Sequence, residues 1–335
     1  MTSSLPRVRL IATGGSIAGV GPHRLDYILY PELGKHITIE ESLARVPEVN
    51  EIAQVQAENL ISVGSTAVGP PEWLAMANRI NQIFREDTEA AGVAMTHGTA
   101  TLEETAYFLH LTVKSDKPMV ITGAMRPPTA LSTDADINLL DAVRIAASSH
   151  AGGMGVLTVL NNEISSARDV VKTSTFRVQT FKPGDLGFLG YADSEGEVLF
   201  YRAPTRKHTT RSEFDVSGRD SLPRVDIVYA YAGADGMLID AVRRNGSDGL
   251  VVAGFGGGTF PPVFIEAAAQ AARDGIPVVL ASRSTTGRVI MTPQKQDAGF
   301  IVSDNLLPQK ARILLMLGLS VTRDREELQR MFREY

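Results

Sequence analysis

Cysteine is absent from all 335 residues. Disulfides, thiolate nucleophiles and cysteine-held zinc are therefore excluded, and the redox state of the compartment leaves no mark on the chain. Long hydrophobic runs are missing too: no stretch approaches the roughly 18 to 20 continuous apolar residues that a bilayer crossing requires, so a soluble protein without a membrane partner is expected. The start, Met1-Thr2-Ser3-Ser4-Leu5-Pro6-Arg7, has no charged segment leading into an apolar signal core, and Val8 to Ala12 is too short to be one. A cytoplasmic location is the expectation, or a periplasmic one if a leader has been removed. There is no block of basic residues and the formal net charge is -5, which argues against nucleic acid as a partner. The six histidines, His23, His36, His97, His110, His150 and His208, contain no pair at metal-ligand spacing. No metal and no cofactor are expected, and His97 reads as structural.

What is present points to small-molecule chemistry on a two-domain α/β scaffold. With 44% hydrophobic residues a chain of this length can fill two cores. Val8 to Ile11, Val93 to Met95, Pro118 to Thr122 and Gly155 to Leu160 read as short buried strands. Pro71 to Phe84, Leu102 to Val113 and Asp136 to Ala147 carry apolar residues at helical spacing. Such alternation builds a mostly parallel sheet with helices on both faces. Between Gly190 and Pro223 the pattern degrades into polar sequence, read as a connector over 191–222. A second, smaller α/β alternation then occupies 223–335, after a larger N-terminal domain over 1–190. Its strands fall at Val225 to Tyr229, Leu250 to Ala253 and Val278 to Leu280, its helices near Met237 to Arg244, Phe264 to Arg273, Leu307 to Leu319 and Arg323 to Tyr335. Gly254 to Thr259 is glycine-rich but lacks the Lys-Ser/Thr of a phosphate loop.

Two hydroxyl-bearing glycine turns stand out: Ala12-Thr13-Gly14-Gly15-Ser16-Ile17-Ala18-Gly19, and Met95-Thr96-His97-Gly98-Thr99-Ala100-Thr101-Leu102-Glu103-Glu104. Each follows a strand-like run, where a doubly wound sheet places its ligands. Thr101 and Glu104 form a capping-box pattern, which would start a helix directly after Thr99. A hydroxyl serves as a nucleophile only when it is activated and when donors await the oxyanion it generates. Glycine flanks would expose Ser16 and let backbone N–H groups approach a developing oxyanion. Taken alone, however, a serine in such a turn more often bonds its own backbone, and an isolated lysine such as Lys172 is more often a solvated face.

Together with Ile121-Thr122-Gly123-Ala124-Met125-Arg126-Pro127, Arg168-Asp169-Val170, Arg206-Lys207-His208-Thr209, Phe214-Asp215-Val216 and Pro308-Gln309-Lys310-Ala311-Arg312, the turns resemble the bacterial L-asparaginase family of amidohydrolases nearly end to end. The resemblance implies an acyl-enzyme on Ser16, which stands where the family has its nucleophilic Thr, with Thr99 and Lys172 as a second catalytic pair. A catalytic Tyr on a mobile loop matches Tyr27 or Tyr30; the Asp26-Tyr27 context favours Tyr27. Gly15, Ser65 and Gly98 fall in the substrate pocket. The family also implies a homotetramer with sites shared between subunits, and no cofactor.

Four positions depart from the family together. Those that surround an asparagine's α-ammonium with acceptors are matched here by Ala100 for an Asp, Thr66 for a Gln, Thr259 near an Asn, and Thr292 or Pro293 near an acid. A buried ammonium without a charged partner is costly. Retained chemistry with selectivity moved to a small amide lacking that group is therefore expected. An ordinary L-asparaginase, a catalytically silent ligand-binding relative and an amidotransferase subunit acting on charged tRNA are the competing readings; the acidic chain argues against the last.

Overall fold

The computed structural model describes residues 4–335; Met1 to Ser3, part of the start inspected for a leader, lie outside the described residues. The chain divides into two units, one ending at Ser212 and the other running Glu213–Tyr335.

Five strands make the parallel part of the first sheet: β1 (Arg7–Ala12), β2 (Gln54–Asn59), β3 (Ala90–Thr96), β4 (Met119–Thr122) and β5 (Val156–Leu160). Every residue of β4 and β5 is buried. Strands covered by helices on both faces show this as unbroken apolar runs instead of alternation. Then come β6 (Glu163–Ser166), the two-residue ribbon β7 (Val171–Lys172) with β8 (Phe181–Lys182), and the short strands β9 (Gly190–Ala192) and β10 (Val198–Phe200). The eight-stranded sheet has the order β10-β9-β6-β5-β4-β3-β1-β2. Its β2-β1-β3-β4-β5 portion is parallel and the rest antiparallel.

On one face Val8, Leu10, Val120 and Leu157 pack with Leu139, Val143 and Ala146 of the helix Ala135–Ala147. Trp73, Met76 and Ile80 on the helix Pro70–Glu86 and Phe108 on the helix Leu102–Thr112 are buried as well. The helices expected at Pro71, Leu102 and Asp136 are thus all present.

The stretch expected as a connector is corrected by the structure. Residues 191–212 belong to the first unit, because β9 and β10 form an antiparallel hairpin on the edge of its sheet. Three-residue strands with half-exposed side chains carry too little periodicity to be read, and the tight turn between them is polar, with Gly196 at φ 83°.

The second unit holds a parallel sheet of β11 (Val225–Tyr229), β12 (Gly249–Gly254), β13 (Val278–Ser282) and β14 (Ile301–Val302), in that order. Val228, Val252 and Leu280 pack with Ile239, Phe264 and Ala268 of the helices Met237–Arg244 and Pro262–Arg273. The helices Pro308–Leu319 and Arg325–Glu334 complete it. Among the described residues no helix is long and apolar enough to cross a membrane.

Candidate active site

The order β2-β1-β3-β4-β5 reverses direction at β1, since the chain goes to one side for β2 and to the other for β3. A crevice for ligands opens at the carboxyl ends of strands flanking such a reversal. The two hydroxyl turns leave those two strands. They touch glycine to glycine: a Cβ on Gly15 would lie 2.2 Å from the Gly98 Cα, and one on Gly98 would lie 2.5 Å from the Ser65 Oγ. Gly15 also holds φ 88°, a region closed to side chains with a Cβ. Side chains at these two positions would drive the turns apart, so both glycines are requirements of the site.

Ser16 opens a single 3-10 turn, Ser16–Ala18, and its hydroxyl donates to the Ala124 carbonyl at 2.6 Å. Thr99 has a different partner: the Lys172 Nζ stands 2.8 Å from its Oγ1. Lys172 is brought there from β7, and its backbone N–H is anchored on the Glu103 carboxylate at 2.5 Å. Burial pushes the Lys172 pKa down, against the opposing pull of the Glu103 charge. Ser16 and Thr99 are both buried, and among the described residues neither backbone N–H has a protein acceptor. Buried N–H groups without partners are uncommon; two of them at adjoining turns make a ready receptor for an oxyanion.

Ser65, in the segment that follows β2, lies against the Thr99 turn. Its Oγ accepts the Ala100 N–H at 3.3 Å and its carbonyl accepts the Thr101 hydroxyl at 2.7 Å. No bond that uses the Ser65 hydroxyl hydrogen is present among the described residues. The contact with Thr101 also corrects the capping box expected there. Thr101 is the N-cap of the helix Leu102–Thr112 but makes no side-chain cap, because its hydroxyl is spent on tying that helix start to Ser65. Ala100 and Thr66 are exposed at the same turns.

The two tyrosines point to different places. The Tyr27 hydroxyl donates to the Leu131 carbonyl at 3.4 Å, and the Arg126 guanidinium lies 5.3 Å above its ring. Tyr30 has its ring against Gly19, where a Cβ would meet Cδ2 at 2.7 Å, three residues beyond Ser16. The Asp26 carboxylate holds the start of the Tyr30 turn, accepting the N–H groups of Leu29 and Tyr30 at 3.0 and 3.2 Å.

Gly15, Ser16, Ser65, Thr66, Gly98, Thr99, Ala100 and Lys172 therefore share one locality of the first unit, whereas Thr259 and Thr292 lie in the second. There Thr259 bonds the Phe255 carbonyl, Thr292 caps the short helix Pro293–Asp297, and Lys295 Nζ joins the two segments through the Gly257 and Ile290 carbonyls at 3.1 and 3.0 Å. The sequence reading missed Ala124 as the acceptor of the Ser16 hydroxyl and Glu103 as the acceptor of the Lys172 backbone N–H. Glu103 carried a usable signal, sitting one turn past Thr99; Ala124 acts through its backbone and carried none. Among the described residues no group of three or more His, Cys, Asp or Glu could hold a metal.

Comparison with known proteins bears on the same residues. The family model described as asparaginase, N-terminal, matches residues 7–206, and the one described as glutaminase/asparaginase C-terminal domain matches 224–332. The chain is 43% identical to L-asparaginase 2 of Bacillus subtilis over 99% of its own length and 87% of the relative's. It is 37% identical to the glutaminase-asparaginase of Pseudomonas fluorescens biotype A, over 99% of this chain and 91% of that one. The crystal structure of a probable cytoplasmic L-asparaginase from Campylobacter jejuni superposes with a TM-score of 0.94 at 39% identity, covering 98% of this chain and 100% of the other.

Proposed function

The chain belongs to the asparaginase family of amidohydrolases, hydrolases of linear amides, and from that premise we propose how its own residues divide the work and which amide they select. Ser16 Oγ attacks the carboxamide carbon and its proton is taken up by the Lys172–Thr99 pair of the adjoining turn. The oxyanion is held by the Ser16 and Thr99 N–H groups. The C–N bond breaks as nitrogen takes up a proton and leaves as ammonia, and water then adds to the Ser16 ester to release the acid. Lys172 and Thr99 are the pair suited to moving those protons, since burial lowers the Lys172 pKa and so favours the neutral amine that can accept one. A homotetramer is part of this proposal and rests on the resemblance alone.

For the substrate, the observation that carries the reading is Ala100, exposed on the Thr99 turn where an acceptor for an α-ammonium would be needed. Thr66 adds no charge beside it. The Ser65 hydroxyl is still able to donate to a carboxylate. A lost hydrogen bond to a charged group is typically worth about 1.5 to 3 kcal/mol, so a small amide bearing a carboxylate but no α-ammonium is favoured. The second reading, ordinary hydrolysis of L-asparagine, is favoured by relatives named for that activity at 43% identity.

Ammonia release from succinamate and from L-asparagine, with Ser16→Ala as control, separates the readings. A clear preference for succinamate is the expected result. A wide preference for L-asparagine overturns the substrate proposal and leaves the amidohydrolase. Binding of either compound without ammonia identifies a silent relative.

A further inference from the structure

The chain's one tryptophan ends a buried line of polar groups that leads to the Thr99 turn. Trp73, on the helix Pro70–Glu86, stacks on Phe108 with ring centroids 5.3 Å apart, and its Nε1 donates to the Thr105 Oγ1 at 2.9 Å. Thr105 Oγ1 lies 3.0 Å from the His97 Nε2, and the His97 Nδ1 lies 2.8 Å from the Gly98 carbonyl. The direction of each bond follows from chemistry. An indole nitrogen can only donate and a carbonyl can only accept, so the Thr105 oxygen accepts from Trp73 and the neutral imidazole, giving its one proton to Gly98, accepts the Thr105 hydrogen at Nε2. Nδ1 must then carry the imidazole proton, and it donates to the Gly98 carbonyl, which can only accept. His97 is thereby held as one neutral tautomer, in keeping with burial that pushes its pKa down to about 4.

Thr105 is committed to this line at the expense of a local bond. In the same helix Thr112 turns its hydroxyl back to the carbonyl four residues earlier, that of Phe108, at 2.8 Å; Thr105 bonds His97 instead. No peptide bond among the described residues is cis. In a trans peptide the C=O and the following N–H point in opposite directions. Drawing the Gly98 carbonyl inward onto His97 therefore turns the Thr99 N–H the other way, and that is one of the two N–H groups without a protein acceptor.

We propose that Trp73, Thr105 and His97 form a positioning chain that sets the plane of the Gly98–Thr99 peptide, and so aims the Thr99 N–H at the oxygen on which charge develops. This rests on reading the Thr99 turn as part of the amidohydrolase site. The three side chains touch no substrate; they act through the peptide. A chain of this kind acts on the transition state more than on the ground state, so its loss belongs in kcat.

Thr105→Val removes the hydroxyl at nearly constant shape, and Thr105→Ser restores it. On the better amide substrate, Thr105→Val should lower kcat by about 10- to 100-fold with KM changed by less than about threefold, and Thr105→Ser should return kcat to within about threefold of the parent. In 15N–1H spectra the Thr99 amide and the single indole resonance should move in Thr105→Val and return in Thr105→Ser. If Thr105→Val fails to fold, Trp73→Phe keeps the stack on Phe108 and removes only the first donor; it should shift the Thr99 amide in the same sense and cost several-fold in kcat. A moved indole resonance with kcat and the Thr99 amide both unchanged overturns the proposal, as does a loss confined to KM. Should the parent protein release no ammonia from any amide, the functional reading fails by itself, and the Thr99 amide shift still decides whether the chain sets the peptide.

Discussion

The turn after β1 and the turn after β3 carry the same kind of residue, a hydroxyl behind a glycine, but they are provisioned differently. Thr99 has a lysine amine 2.8 Å away, delivered by a separate ribbon and anchored by Glu103. Ser16 has only a backbone carbonyl, that of Ala124, on which its proton rests. One turn therefore stores the means of moving a proton. The other stores an oxygen in a glycine-lined position where it is close to a potential oxyanion receptor. The difference teaches that a hydroxyl and its activation need not be built on the same turn; the glycine contact between Gly15 and Gly98 is what makes the two turns one site. It also explains why neither signature turn is sufficient by itself to identify the chemistry.

The sharpest way to break this comparison is to remove each oxygen in turn. Ser16→Ala should abolish turnover, by about 10⁴-fold or more, and mass spectrometry of a quenched reaction should find the acyl adduct on the peptide containing Ser16. An adduct on the Thr99 peptide would reverse the roles assigned to the turns. Lys172→Met should cost about 10²- to 10⁴-fold in kcat, as expected for loss of a positioned acid–base group.

The tyrosines test how far the Ser16 turn depends on the segment that follows it. Tyr30 has its ring against Gly19, three residues beyond Ser16, whereas Tyr27 is engaged by Arg126 and Leu131. Tyr30→Phe should therefore reduce kcat by about tenfold or more, a loss of the size that small misplacements produce, with Tyr27→Phe having the smaller effect. The opposite order would restore the assignment favoured by the Asp26-Tyr27 context.

The smallest effect concerns pH and reads the Thr99 turn alone. Lys172 accepts a proton only when neutral, so activity should rise with pH as it deprotonates. Burial lowers the Lys172 pKa from its ordinary value, and the negative charge of Glu103 opposes the shift. Glu103→Gln removes the charge and keeps an oxygen for the Lys172 N–H. The Lys172 pKa should then fall further, moving the rising limb of the kcat profile to lower pH. An unmoved limb would show that another group limits the reaction.

Much of this arrangement was legible before any coordinates. The unbroken apolar runs of β3, β4 and β5 and the helical spacing of Pro71 to Phe84 and Asp136 to Ala147 fixed the α/β class. The two turns with their glycines located the crevice. The edge hairpin of β9 and β10 was not legible, because its strands are too short for a period to register. The capping box at Thr101 misled for a related reason: the pattern is local, but the Thr101 hydroxyl found a better partner on Ser65, thirty-six residues earlier.

The sequence by itself determined the layered α/β architecture, the absence of thiol chemistry and the identity of the two hydroxyls, all of which follow from residue type and short-range spacing. Only the tertiary structure decided that Thr99 meets Lys172, that Ser16 rests on Ala124 and that His97 is a neutral donor to Gly98. Those outcomes depend on contacts between segments far apart in the chain and on backbone groups that every residue shares, and neither leaves a mark in the order of the side chains.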